Sequence, residues 1–360
     1  MINVTTPFLP PIEEYQAIIK GIWSRQWLTN NGPLVQQLEQ QLKEYLQVDH
    51  LLYTNNGTVV LQMALKLLPR QGEVITTPFS YVATTNAILW EGFTPVFVDI
   101  KATDYNINET LIEAAITPNT VAIMATHVYG NPCNVEVIQA IATKHNLTVI
   151  YDAAHTFGTL YKGKQLLSYG DIATCSFHAT KVFHTIEGGC IICKDAATET
   201  KLKLMRSFGH IGDEYYSVGI NGKNSEFHAA MGLCNLPHLQ SIIEARKQCY
   251  NYYCKAIANM PLQIPVPLDA TSYNYAYFPV IFDSEIALQN TVAALLQNNI
   301  NARRYFYPSL NELPFVIGAA ECTVSEAVST RALSLPLSNT LALTDIDTIV
   351  AVIKSVIGEV

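Results

Sequence analysis

The stretch "LTVIYDAAH", residues 147–155, is an apolar segment that runs directly into a carboxylate and ends at a histidine. Other apolar segments are "GEVITTP" (72–78), "TPVFVDI" (94–100) and "TVAIMATHVYG" (120–130), and helical patterns such as "VEVIQAIATKHN" (135–146) lie between them. Strands that are apolar along their whole length and alternate with helices are typical of a parallel sheet covered on both faces. The sequence therefore predicts an α/β fold built on a mainly parallel sheet.

The pattern changes after about residue 235. "LPHLQSIIEARKQCYNYYCKAIA" (236–258) predicts one long helix, and shorter strand-like and helical segments follow it to the end of the chain. Such a mixture indicates a small α+β domain. We predict a large domain over residues 1–235, with an N-terminal arm, and a small C-terminal domain over residues 236–360.

The composition narrows the classes of partner. Of the 360 residues 49% are hydrophobic and 14% are charged, and the formal net charge is −8. An acidic chain without a basic run is a poor match for nucleic acid or an anionic membrane. So few charges suggest that apolar surface is covered by another subunit. Neither a secretory signal nor a transmembrane span is evident, so we expect a cytoplasmic protein.

One cysteine pair, in "GGCIICK" (188–194), has the spacing of a metal or redox motif. The segment reads as a short strand, in which residues three apart point to opposite faces. Cys190 and Cys193 are therefore expected to be separate buried thiols. Because no other metal-ligand spacing is present, we expect no metal site.

Polar residues follow five of the predicted strands. The carboxyl ends of parallel strands form the usual ligand-binding edge of such a sheet. These residues should therefore gather around one site. They are Gly57-Thr58, Thr77 to Tyr81, His127, Asp152 to His155, and Ser176 to Lys181.

Three of these residues form the minimum set for pyridoxal phosphate (PLP) chemistry, namely Lys181 as a Schiff-base amine, Ser176 as a phosphate ligand and Asp152 as a partner of the pyridinium. Asp152 would need a cationic partner, which is either a structural ion pair or the protonated pyridine nitrogen of PLP. Lys181, in "SFHATKVFHTIEGG" (176–189), is either a solvated surface group or an amine able to form a Schiff base. Gly57-Thr58 opens a helix that suits a phosphate, although ordinary turns and helix caps look the same.

Longer motifs resemble a known family. "NNGT" (55–58), "THVYGNP" (126–132), "YDAAHTFG" (151–158), "SFHATKVFHTIEGG" (176–189) and "GINGKNSEFHAAMGL" (219–233) are similar to successive signatures of the DegT/StrS-type sugar aminotransferases. The resemblance implies an aspartate aminotransferase-like type I PLP fold, with a mainly parallel seven-stranded sheet in the large domain. It also implies amination of keto groups on nucleotide-linked deoxysugars.

The resemblance assigns roles around the cofactor ring. Lys181 is similar to the catalytic Schiff-base lysine, and Asp152 to the partner of the pyridine nitrogen. His155 stands near the cofactor O3′, where many members have Gln. Tyr81 resembles the aromatic residue that stacks on the ring. Members that act as dehydratases have His in place of the lysine, so the retained Lys181 favours transamination.

The resemblance also assigns the phosphate ligands. Gly57, Thr58 and Ser176 are similar to phosphate-binding residues of the same subunit. Asn221 resembles an Asn that reaches the phosphate from the neighbouring subunit, which implies a homodimer with shared active sites. One departure is Lys223, which stands where much of the family has Arg and leaves a substrate contact there in doubt.

Four further residues have two interpretations each. His178 and His184 could tune the lysine or contact substrate, and packing roles explain them equally well. His127 and Tyr129 could border the sugar pocket or be structural.

Within the family, the motifs look most like enzymes that aminate C4 of dTDP-4-keto-6-deoxyglucose for O-antigen or related glycans. Glutamate would be the amino donor, and pyridoxamine 5′-phosphate would carry the nitrogen into the second half reaction. The alternatives are amination at C3 of a dTDP-3-keto-6-deoxyhexose and a PLP-dependent sugar dehydratase.

Overall fold

Strands and helices alternate through the first two-thirds of the chain. This structure is a computed structural model, and it describes residues 1–358. The strands are β1 Ile2–Asn3, β2 Leu51–Thr54, β3 Glu73–Thr76, β4 Thr94–Phe97, β5 Thr120–Thr126, β6 Thr148–Asp152, β7 Leu160–Tyr161, β8 Lys164–Gln165, β9 Ile172–Ser176, β10 Gly189–Cys193, β11 His210–Ile211, β12 Glu214–Tyr215, β13 Leu262–Gln263, β14 Thr271–Ser272, β15 Phe278–Phe282, β16 Ile300–Asn301 and β17 Ala332–Leu335. The helices are α1 Ile12–Arg25, α2 Pro33–Leu46, α3 Gly57–Lys66, α4 Ala83–Trp90, α5 Glu109–Ile112, α6 Val135–His145, α7 Ala196–Arg206, α8 Glu226–Asn235, α9 Leu239–Ala256, α10 Glu285–Gln297, α11 Thr323–Ser329 and α12 Leu343–Ile357.

A seven-stranded sheet forms the centre of the fold, in the order β2-β10-β9-β6-β5-β3-β4. The neighbours from β9 to β4 pair in parallel, whereas β10 runs antiparallel to both β2 and β9. The predicted mainly parallel, seven-stranded sheet is confirmed. Parallel strands present their carboxyl ends on one edge, so the loops after β2, β3, β6 and β9 meet there.

Two apolar layers cover the two faces of this sheet. Cys190 and Ile192 of β10 belong to one layer, and Ile191 and Cys193 belong to the other. The alternation follows from the two-residue period of a strand. The two thiols of the CxxC segment therefore lie on opposite faces, as predicted, and both are free and buried.

A third apolar core lies in the C-terminal part of the chain. Strands β15 and β17 pair antiparallel, and apolar residues of α9, α10 and α12 pack with them. The predicted long helix from residue 236 is wrong in its start, since residues 236–238 form a separate 3-10 turn with Pro237 in its first turn. Strand β1 pairs in parallel with β16, so the first residues of the chain pack against this third core.

Two kinds of feature are missing from the part of the chain described. None of the helices within residues 1–358 is both long enough and apolar enough to cross a bilayer. The same residues contain no group of His, Cys, Asp and Glu side chains arranged to hold a metal ion.

Candidate active site

A cavity of about 250 Å³ opens at the carboxyl edge of the central sheet. The structure brings together in its wall all but one of the residues predicted for the site. These are Gly57, Thr58, Tyr81, Asp152, His155, Ser176 and Lys181.

Asn221 lies apart from this wall. It sits at the end of the exposed segment that follows β12, and it forms an isolated β-bridge with Ser207. Its backbone carbonyl accepts a hydrogen bond of 3.2 Å from the Asn55 side chain. The role predicted for Asn221 lies in the active site of a neighbouring subunit, and it stays a prediction.

One end of the cavity is a cradle formed by Gly57 and Ser176. Helix α3 begins at Gly57, and a Cβ atom there would lie 2.7 Å from Cβ and 2.9 Å from the hydroxyl of Ser176. The Asn56 side chain already accepts hydrogen bonds from the N–H groups of Thr58 and Val59, at 3.0 and 2.8 Å. These two N–H groups are occupied by Asn56, so an anion in the cradle would be bound by the hydroxyls of Thr58 and Ser176 and by the positive end of the α3 dipole.

Asp152, at the end of β6, is buried with 5% of its surface exposed. Its carboxylate accepts hydrogen bonds from the Thr84 hydroxyl at 2.6 Å and from the N–H of Ala154 at 3.2 Å. Burial raises the pKa of Asp152, although these two bonds and the charge of Lys181 act to lower it. A buried carboxylate on a cavity wall whose pKa is raised by desolvation is suited to a cationic ligand group.

A chain of hydroxyl groups supports this carboxylate from behind. The Thr126 hydroxyl donates to Ser80 Oγ at 3.1 Å, and Ser80 Oγ lies 2.9 Å from Thr84 Oγ1. Because Thr84 donates to Asp152, the proton order runs from Thr126 through Ser80 and Thr84 to the carboxylate. This chain was not predicted, because Thr126 belongs to a different segment from Ser80 and Thr84 and no local pattern joins them.

Lys181 follows β9, and its amine donates a hydrogen bond of 3.2 Å to the Tyr277 hydroxyl. Burial acts to lower the pKa of Lys181. The Tyr277 hydroxyl and the Asp152 carboxylate act in the opposite direction and prevail, so the pKa of Lys181 is raised. The amine is thus held in a defined position on the same cavity wall as Asp152.

His155 presents a neutral imidazole to the cavity. Burial, together with the charge of Lys181, holds the pKa of His155 well below its usual value. The ring stacks on Phe306, with centroids 5.7 Å apart, and meets the edge of Tyr277 at 4.9 Å. Within residues 1–358 its Nδ1 is buried without a hydrogen-bond partner, so this atom remains available to a bound group.

The C-terminal part of the chain closes the cavity, and the sequence analysis missed its contribution. Tyr277 immediately precedes β15, and three more lining residues follow β16. The only signals were the aromatic segments "YAYFPVIF" (275–282) and "RRYFYPSL" (303–310), which are equally typical of core strands. The three residues after β16 are Arg303, Tyr305 and Phe306.

The two histidines that flank Lys181 have different positions. His178 lines the cavity, with Nδ1 2.8 Å from the Thr180 hydroxyl and Nε2 3.5 Å from Glu187. His184 is buried, and its Nε2 lies 2.7 Å from the carbonyl oxygen of Phe8. His184 therefore attaches the N-terminal arm to the loop after β9.

His127 and Tyr129 are structural rather than part of the cavity wall. His127 stacks on Tyr151 with centroids 4.4 Å apart, and its Nδ1 accepts a 3.0 Å hydrogen bond from the N–H of Cys133. Burial lowers the pKa of His127 to about 3, so it is neutral. Tyr129 is buried in an apolar cluster with Phe306.

Comparison with known proteins places this geometry in a family. The chain is 40% identical to a dTDP-4-amino-4,6-dideoxy-D-glucose transaminase of Shigella dysenteriae over 362 residues, which covers 99% of each protein. It is 42% identical to an Escherichia coli protein of the same name, over 95% of this chain and 91% of the relative. The solved structure of DesI with its TDP-sugar product superposes with a TM-score of 0.94 and 29% identity, covering 99% of this chain and 93% of DesI. Residues 12–354 match the family as a whole, and the chain belongs to the DegT/DnrJ/EryC1/StrS aminotransferase family.

Proposed function

We propose that this protein transfers an amino group from glutamate to C4 of dTDP-4-keto-6-deoxyglucose, using PLP, for the synthesis of an O-antigen or related glycan. The observation that carries the proposal is a single cavity lined by the Lys181 amine, the buried Asp152 carboxylate and the Gly57–Ser176 cradle. The substrate rests on the two transaminases that are similar to this chain over nearly its full length.

The residues of the cavity fit PLP at three points. Thr58, Ser176 and the start of α3 suit its phosphate, Asp152 its ring nitrogen, and the free Nδ1 of His155 its O3′. Lys181 would hold its carbonyl carbon, and Tyr81, half exposed at the mouth, would cover its ring. When bound, PLP supplies a conjugated pyridinium that accepts the electron pair of a breaking C–H bond.

The proton transfers fall to Lys181. In the first half reaction its Nζ takes the proton from Cα of glutamate, and in the second it returns a proton to C4 of the sugar. The amine takes the first proton only when it is neutral and returns one as an ammonium, and the Asp152 charge opposes the neutral state by raising the pKa of Lys181. A cationic group held by Asp152 would offset this charge and so would lower the pKa of Lys181. The Tyr277 hydroxyl, which accepts a hydrogen bond of 3.2 Å from Nζ, would orient this amine.

The cavity combines residues from both parts of the chain, which supports a division into domains of residues 1–235 and 236–360.

We further propose a homodimer in which Asn221 of one subunit completes the phosphate site of the other. Exposed apolar side chains lie just before Asn221 in the chain, which supports a partner surface there. They include Ile211, Tyr215, Tyr216 and Val218.

Two experiments test the function. The protein loaded with PLP is incubated with glutamate and dTDP-4-keto-6-deoxyglucose, and the new amine is located by NMR. Nitrogen at C4 is expected, whereas nitrogen at C3, or loss of a hydroxyl without nitrogen transfer, would establish one of the alternatives.

Borohydride reduction followed by peptide mapping tests the cofactor site separately. We expect the reduced cofactor on Lys181, none on the protein after Lys181→Ala, and unchanged labelling after Lys164→Ala, which alters an exposed lysine outside the cavity. Undiminished labelling of the Lys181→Ala protein would refute the assignment.

A further inference from the structure

We propose that Arg303 binds the diphosphate of the nucleotide-linked sugar at the mouth of the active-site cavity. The proposal rests on the proposed function and adds the residue that recognises the anionic half of the substrate. Arg303 follows β16 in the C-terminal part of the chain and lines the same cavity as Lys181.

The charges of the cavity leave Arg303 as the available anion ligand. Among the described residues that form the wall, Lys181 and Arg303 are the lysine and arginine side chains present. Lys181 is assigned to the chemistry, and His178 already has Glu187 3.5 Å from its Nε2. Because the protein carries a net charge of −8, a doubly charged diphosphate needs a local cation to bind.

The local structure holds the backbone of Arg303 and leaves its charge free. Its N–H donates to the carbonyl of Ser334 at 3.1 Å, and its carbonyl accepts from the N–H of Ser334 at 2.8 Å. The guanidinium carbon lies 4.8 Å from the ring centroid of Tyr305, and the side chain is exposed. No ion pair to Arg303 occurs within residues 1–358. A guanidinium oriented by an aromatic ring is well suited to bidentate phosphate binding.

The neighbouring arginine has the opposite character. Arg304 pairs with the Glu285 carboxylate at 2.9 Å, and it also donates to the carbonyl oxygen of Thr330 at 3.0 Å. It does not line the cavity. The two adjacent arginines therefore form a natural comparison, in which one charge is paired with a carboxylate and the other lines the cavity.

Two tyrosine rings of the cavity wall, those of Tyr277 and Tyr305, link the amine of Lys181 to the guanidinium of Arg303. Lys181 Nζ lies 5.9 Å from the Tyr277 centroid, the centroids of Tyr277 and Tyr305 are 5.7 Å apart, and the guanidinium carbon of Arg303 lies 4.8 Å from the Tyr305 centroid. In the substrate, C4 must reach Lys181 while the diphosphate is attached across the ring at C1. The α-carboxylate of glutamate is bonded to the reacting carbon itself, so it stays close to Lys181.

The test is equilibrium binding of dTDP to the PLP-loaded protein, by calorimetry, with glutamate measured separately through its half reaction. Arg303→Gln is expected to weaken dTDP binding by about tenfold to a hundredfold, the usual loss for a hydrogen-bonded charge pair. The same substitution should weaken the affinity for glutamate by a factor at least about tenfold smaller than the factor for dTDP. Arg303→Lys should recover part of the affinity, because it keeps the charge but not the bidentate geometry. Arg304→Gln is the matched control and should not alter dTDP affinity.

Each other outcome overturns the proposal. A larger loss for glutamate than for dTDP would assign Arg303 to the donor carboxylate. Equal dTDP affinity in Arg303→Gln and wild type would exclude the residue while leaving the proposed function intact. If the wild-type protein binds no dTDP at all, both the role of Arg303 and the proposed nucleotide are wrong.

Discussion

The hydroxyl of Thr84 should control the charge of Asp152, and Thr84→Val tests this. Thr84 is fully buried, and its hydroxyl donates to Asp152 at 2.6 Å. Valine has nearly the same shape but no donor. A hydrogen bond to a charged group contributes about 1.5–3 kcal/mol. Its loss should disfavour the carboxylate form by that amount, so at a pH below the pKa of Asp152 the affinity for PLP should be about tenfold to a hundredfold weaker.

Thr84→Val should also change how the affinity for PLP depends on pH. The Thr84 bond acts to lower the pKa of Asp152, which burial has raised. Removing the bond raises this pKa further, so Asp152 becomes protonated at a higher pH and loses its charge toward the ring nitrogen. We therefore expect the acid limb of the affinity–pH curve to move to higher pH. The measurement is a titration of cofactor-free protein with PLP at a series of pH values.

Thr85→Val is the matched control. Thr85 is also fully buried, and its hydroxyl has no hydrogen-bond partner within residues 1–358. Removing that hydroxyl should leave both the affinity and the acid limb in place. The same loss in both variants would show a packing effect, and an unmoved acid limb in Thr84→Val would refute the role of the Thr84 bond.

Three further predictions concern neighbouring features. Tyr277→Phe removes the bond to Lys181, so turnover should fall by about twofold to tenfold; the pKa of Lys181, followed by labelling its amine in cofactor-free protein, should also fall. Gly57→Ala would place a Cβ 2.7 Å from Ser176 Cβ, so α3 or β9 must shift, and both the PLP affinity measured by titration and the thermal midpoint should drop. Glu226 is fully buried and accepts two backbone hydrogen bonds of 3.0 Å at the start of α2. Glu226→Ala should therefore lower the free energy of unfolding, measured in urea, by about 2–4 kcal/mol. Glu226→Gln retains one acceptor and should lower it less.

The order of apolar and polar residues along the chain determined much of the fold. The apolar strand "TVIYD" (148–152) and its neighbours were predictable because apolar runs of this length that alternate with helices are typical of a parallel sheet covered on both faces. The end of each strand is equally local, so Asp152 and Lys181 could be placed on one edge before any coordinates. The opposite faces of Cys190 and Cys193 follow from the same period of two.

Other features depended on contacts between distant segments. Tyr277 meets Lys181 across 96 positions of the chain, and nothing near Tyr277 distinguishes it from other tyrosines of an aromatic strand. His178 and His184 are six residues apart, yet one lines the cavity and the other binds the carbonyl of Phe8. Periodicity records which face of an element is buried, because burial repeats along the element. It does not record which side chain from a distant segment packs against that face. Tyr277 and Arg303 complete this site only because the C-terminal part of the chain packs against the edge of the sheet.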